Sequence, residues 1–202
     1  MKYNKDTSEK ILDNAFSEFE ERGYSGARMQ SIADRAGINK ALLHYYYKSK
    51  DALFELIIKK AFNMLLPKIF KIFDDDANIF ELIENFVSVY IDIIIKHPHI
   101  PGFVIHEISN NPNRLLKLVE HENININNIK QRINQEMENG TIIKMPVEQL
   151  ITNVISLCVF PFVAKPLLTG LVLNGDKKAF DAFVEQRKTE VSKFVINAIK
   201  IN

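Results

Sequence analysis

The sequence predicts an all-α protein. Three observations carry that prediction. Apolar residues recur at three- and four-residue spacing along most of the chain, the signature of helices with one buried face. No alternating, strand-like run appears before Pro67, and all seven prolines lie at or after it. Glycines, prolines and short polar residues cut the periodic stretches into about nine helix-length segments. Hydrophobic residues make up 47% of the 202 residues and charged residues 25%, an ordinary globular balance.

The elements follow in order. Residues 7–22 place Ile11, Leu12, Ala15, Phe16 and Phe19 on one stripe, and Gly23 is a stop signal. A short second helix reads Met29–Ala36, with Gly37 breaking it. Asn39 is a capping residue for a third helix, Lys40–Tyr47, and Ser49 caps a fourth that runs from Lys50 to about Ile72. Asp74–Asp76 reads as a solvated loop, followed by a helix over Ile79–Lys96. Pro98 and Pro101 start a short helix ending near Ser109, and Pro112 opens another that Gly140 closes. The run Asn123–Asn128 has strand-like spacing, but its flanks are helical, so helix is expected there. Pro146 precedes a helix through Leu150, Val154, Leu157 and Phe160, and the last helix reads Lys177–Ile199.

Taken over the whole chain, the net charge of +1 argues against a nucleic-acid partner, but it hides segregation. Residues 28–50 hold Arg28, Arg35, Lys40, Lys48 and Lys50 against Asp34 alone, a net +4 that leaves −3 for the rest. That charge lies where two short helices meet at a glycine, the helix-turn-helix pattern. Ile32, Ala33, Ile38, Leu43 and Tyr47 would hold the two helices at an angle. Lys40, Ala41, His44, Tyr45 and Tyr46 would then face outward. Lysines and tyrosine hydroxyls bond phosphates, and ring faces contact thymine methyls.

The stretch GYSGARMQSIADRAGINKALLHYYYKSKDALF, residues 23–54, resembles the DNA-binding domain of TetR/AcrR bacterial transcriptional regulators. The resemblance implies a helix-turn-helix domain over residues 1–50 and a helical ligand-sensing and dimerisation domain over 51–202. It implies that Lys40, His44, Tyr45 and Tyr46 contact phosphates and bases, and that Lys50 contacts a phosphate at a helix N-terminus. Gln30, Asn39 and Lys48 belong to the same candidate surface. Three positions depart from the family pattern. Arg28 replaces a capping threonine, Ala41 a glycine, and Leu42 a small or polar residue.

The resemblance also implies an inducer pocket for a small apolar or amphipathic ligand, with Phe62, Phe86, Tyr90, Phe103, His106, Ile129 and Phe160 as candidates. A homodimer would pair the last two helices through Leu150, Val154, Leu157, Phe180, Phe183, Val184, Val191 and Phe194. A ligand that shifts the spacing of the two heads would release a repressor from double-stranded operator DNA.

No cofactor, metal or catalytic set is expected. His97, His99 and His106 straddle two prolines and lack clustered carboxylates or thiolates. No Ser/His/Asp set or phosphate loop supports an enzyme. The lone Cys158 lies in an apolar run and excludes an intrachain disulfide. The polar N-terminus and the interrupted apolar run Leu150–Leu173 predict a cytoplasmic protein with no membrane partner. Two other readings remain open: an all-helical carrier or enzyme with an incidental basic segment, and a regulator acting only through protein contacts.

Overall fold

The computed structural model describes residues 5–73, 77–98, 100–110, 112–113, 116–117 and 126–201. Asp74–Asp76, His99 and residues 123–125 of the Asn/Ile run lie outside them. The helices are α1 (Lys5–Gly26), α2 (Met29–Ala36), α3 (Lys40–Tyr46), α4 (Lys50–Phe73) and α5 (Ile79–Lys96). Then come α6 (Ile100–Asn110), α7 (Ile126–Glu138), α8 (Val147–Val163) and α9 (Lys177–Ile199). Between α8 and α9 lie one short helical turn, Lys165–Leu167, and a π-helical turn, Leu168–Val172. Among the described residues the only extended pairing is an isolated bridge between Ile142 and Lys200.

The chain divides into two compact units, Met1–Met64 with Gly102–Leu118, and Leu65–Pro101 with Val119–Asn202. The boundary expected at residue 50 falls at the start of α4 instead of between units. The reason is burial: Leu53, Phe54, Ile57 and Ile58 of α4 join the same core cluster as Ile11, Phe19, Ile32 and Leu43. Phe103 of α6 joins that cluster too. The second unit has its own core, built from Leu82, Val87 and Ile91 of α5, Val154 and Cys158 of α8, and Val191 and Val195 of α9.

Glycine placement sets two ends. Gly37 (φ 65°) receives α2 in the left-handed region, where a side chain would be strained. The Gly37 and Ile38 N–H groups donate back to Asp34 and Ala33 carbonyls, closing the helix end as a Schellman motif. Gly23 (φ 63°) does not end α1 as its sequence suggests, but kinks it, and the helix resumes to Gly26. The Ala27 N–H reaches back to the Gly23 carbonyl and carries the chain across the kink.

Candidate DNA-binding surface

The first unit builds a surface around α2 and α3. Asn39 caps α3, its Oδ1 accepting from the Leu42 N–H at 2.7 Å. Leu43 and Tyr47 are buried beneath, and the Tyr47 hydroxyl lies 2.7 Å from Ser8 Oγ on α1. With that face locked, Lys40, Ala41, His44 and Tyr45 are exposed, and Leu42 and Tyr46 are half-buried. Tyr45 is 57% exposed, a large aromatic surface left toward solvent. The Tyr45 and Tyr46 rings meet edge to face at 5.7 Å. His44 Nδ1 lies 3.3 Å from the Lys48 carbonyl, tying the end of α3 to the exposed Lys48.

Arg28 is the N-cap of α2 in extended conformation, and its side chain makes no capping bond. The cap comes instead from Glu18 on α1. Glu18 Oε1 accepts from the Arg28 N–H at 3.4 Å, and Oε2 accepts from the Ser31 hydroxyl at 2.7 Å. A capping box normally supplies that carboxylate from the helix's own third residue. Here α1 supplies it across the fold. Glu18 is fully buried, and its charge is met by Arg35 Nε at 3.1 Å and Arg22 Nε at 3.4 Å.

The same network revises the +4 segment. Arg35 is bidentate with Glu21 and bonds Glu18 as well. That hydrogen bond raises the Arg35 guanidinium and holds the Glu21 carboxyl below its usual range. Arg35 therefore spends its charge on α1. Gln30 donates to Asp34 at 2.8 Å, one turn along α2. Lys50 is a further correction. Its Nζ turns inward, donating to the carbonyls of Tyr24 (2.9 Å) and Ala27 (3.2 Å). It also sits 4.4 Å from the Tyr24 ring centroid, and Tyr24 hydrogen-bonds Asp51. Carbonyls left by the kinked end of α1 thus capture a lysine expected on a phosphate. Arg28, Lys40 and Lys48 are exposed.

The pocket candidates separate. Phe103 and His106 pack in the first unit. Phe103 meets Phe16, Phe19 and Phe54 edge to face, and His106 lies 5.0 Å from Tyr24. Phe62 packs against that same core. Phe86, Tyr90 and Ile129 belong to the second unit, where Phe86 and Tyr90 stack at 5.4 Å. Phe160, also in the second unit, is 62% exposed and lines no interior.

The interface candidates divide by exposure. Leu150, Val154, Phe180, Val184 and Val191 are buried within one chain, so they have no surface to offer a partner. Leu157 and Phe183 are half-buried, and Phe194 is exposed. Exposed apolar residues on this unit that sequence reasoning missed are Ile155, Val163, Leu167, Leu171 and Val172. Among the described residues no single helix is long and apolar enough to cross a membrane.

Residues 11–57 match the family model described as bacterial regulatory proteins, tetR family. The chain is 28% identical over 96 residues to the icaADBC biofilm-operon HTH-type negative transcriptional regulator IcaR of Staphylococcus epidermidis. That match covers 42% of this chain and about half, 52%, of the relative. The solved structure of HlyIIR, a hemolysin II transcriptional regulator, superposes with a TM-score of 0.65 at 24% identity, covering 93% of this chain and 97% of that one. The transcriptional regulator FadR from Bacillus subtilis, in complex with stearoyl-CoA, gives a TM-score of 0.69 at 14% identity, covering 94% and 98%. These two likenesses show a shared fold.

Proposed function

We propose, for a chain whose N-terminal head belongs to the tetR family of bacterial regulatory proteins, that it is a transcriptional regulator binding operator DNA. The observation that carries the reading is the outward face of α3. Lys40, Ala41, His44 and Tyr45 stand exposed on a helix whose opposite side is pinned by Leu43 and Tyr47. A short, rigidly held helix with a basic and aromatic outer face fits the major groove, where phosphates position it and base edges specify. Arg28 and Lys48 flank it as backbone contacts.

Repression follows from the likeness to IcaR, a negative regulator. Two heads are needed for a two-fold operator, and the second unit offers the surface that would join them. Phe160, Val163, Leu167, Leu171, Val172 and Phe194 form a set of exposed apolar side chains on α8, the following turn and α9. Such an apolar set marks an interaction site, and an isologous pairing of two copies would close it. A small apolar or amphipathic ligand in the second unit would bias the spacing of the heads. α4 and α6 each contribute residues to both units and would carry that bias. The protein would work in the cytoplasm, with no membrane partner.

The test is selection of bound fragments from sheared genomic DNA, followed by footprinting. The reading expects protected half-sites about one helical turn or a multiple apart. Absence of any protected site at low salt would refute it.

A further inference from the structure

Three consecutive tyrosines end α3 and lead the chain out of it, and each has a different environment. Tyr45 is 57% exposed, Tyr46 is half-buried, and Tyr47 is buried. Neighbouring residues on an α-helix point about 100° apart, so Tyr45 and Tyr46 cannot share one face. Tyr47 has already left the helix. It is the C-cap of α3, in extended conformation (φ −135°, ψ 105°), and its ring joins the core of the first unit. Tyr46 packs against that same core.

The three rings touch in series. Tyr47 meets Tyr46 at 6.3 Å with planes 34° apart, and Tyr46 meets Tyr45 edge to face at 5.7 Å and 86°. Edge-to-face is an arrangement that ring quadrupoles favour. The buried end is fixed to α1. The Tyr47 hydroxyl donates to the Ser8 carbonyl at 3.3 Å and lies 2.7 Å from Ser8 Oγ, which can donate to it in return. A path of contacts thus runs from Ser8 on α1 through Tyr47 and Tyr46 to the exposed ring of Tyr45.

Such a path has a use in reading bases. α3 has seven residues, and a helix that short is marginal without outside support. An unsupported ring at its end would lose rotamer freedom on binding, and holding the ring in place beforehand removes that cost. Order matters little for a charge beside a phosphate. It matters for a ring that must meet a base edge or a thymine methyl. We propose that Tyr46 is a positioning residue: it braces the Tyr45 ring for base reading and makes no contact with DNA itself. Ser8 and Tyr47 anchor the brace. This rests on the reading of α3 as the helix that enters the groove, and it changes the part of Tyr46 from contact to support.

The test titrates the full chain with an operator duplex selected from genomic DNA and with a random duplex of equal length. Tyr46→Leu removes the ring and keeps an apolar residue of high helix propensity. It lowers the operator-to-random affinity ratio at least fivefold, and the loss falls on the operator. Tyr46→Phe, which restores the ring without the hydroxyl, recovers the ratio to within twofold of wild type. In the DNA-free chain, the Tyr45 ring-proton resonances move toward those of an unstructured tyrosine in Tyr46→Leu and stay in place in Tyr46→Phe. A Tyr46→Phe ratio at least fivefold below wild type reveals a hydroxyl that bonds DNA and overturns the proposal, even where Tyr46→Leu is too unstable to titrate. An unchanged ratio in Tyr46→Leu, equal losses on both duplexes, or unmoved Tyr45 resonances overturn it as well. Failure of the underlying reading looks different: a wild-type chain that binds both duplexes equally refutes α3 as the reading helix. Wild type and Tyr46→Leu that discriminate alike refute the brace alone.

Discussion

Glu18→Gln is the sharpest perturbation of the head, because one buried carboxylate joins four donors from two helices. It accepts from the Arg28 N–H and the Ser31 hydroxyl, and it faces Arg22 and Arg35. The amide keeps the volume, removes the charge and turns one acceptor into a donor facing donors. Breaking a fully buried ion pair costs about 3–5 kcal/mol. Here the two arginines are 51% and 30% exposed and can rehydrate, so that figure must be discounted. Charge-assisted hydrogen bonds are worth about 1.5–3 kcal/mol each in net terms. A loss of about 2 kcal/mol in the first unit is expected. For a unit of this size that corresponds to a fall in Tm of roughly 8–16 °C. Calorimetry reads it directly, and near-ultraviolet tyrosine signals assign it to the head, since the chain has no tryptophan. A shift below about 2 °C would refute the claim that Glu18 caps α2.

Other outcomes follow from the same geometry. Lys50→Met costs roughly 1–2 kcal/mol of head stability, because the Tyr24 and Ala27 carbonyls lose a charged donor. It leaves the salt slope of DNA binding unchanged, whereas a phosphate-contacting Lys50 would lower that slope by about 1 per head. Gly37→Ala meets only Lys10 Nζ at 3.6 Å, so its cost is the left-handed backbone alone, about 1 kcal/mol by denaturant titration. Raised folded-state values for Tyr90 and Cys158 mean the native state holds those protons more tightly than the unfolded chain. Their stabilising contribution is complete below pH 9 and declines as pH rises toward 12. A denaturation midpoint that falls over this range in the wild type, and falls less in Tyr90→Phe, is the expected pattern.

Local signals made α2, the turn and α3 legible. Gly37 and Asn39 act within three or four residues of their partners, so spacing alone places them. Glu18 was concealed because its partners lie 4 to 17 residues away and a lone glutamate reads as solvent-facing. A signal was present: Glu18 falls on the buried stripe of Ile11 and Ala15. Sequence alone places Phe103 and His106 with the sensor, because nothing in it links them to Phe54 and Tyr24. That contact is made only when α6 packs against the head. The apolar residues of α8 and α9 posed a different difficulty. α8 is apolar around most of its circumference, so periodicity cannot say which side meets its own core. Packing decides: Val154 and Cys158 turn inward, while Ile155 and Phe160 stay exposed.

The most direct test of the account is the affinity of the intact chain for a selected operator duplex, measured across salt concentration. A steep negative slope of log affinity against log salt is expected, about 0.9 for each phosphate neutralised. Lys48→Ala should reduce that slope by about 1 per head, and Tyr45→Ala should cost about 1–3 kcal/mol on the operator and much less on random DNA. A slope near zero, or equal losses on both duplexes for Tyr45→Ala, would contradict the assignment of α3 as the helix that reads DNA.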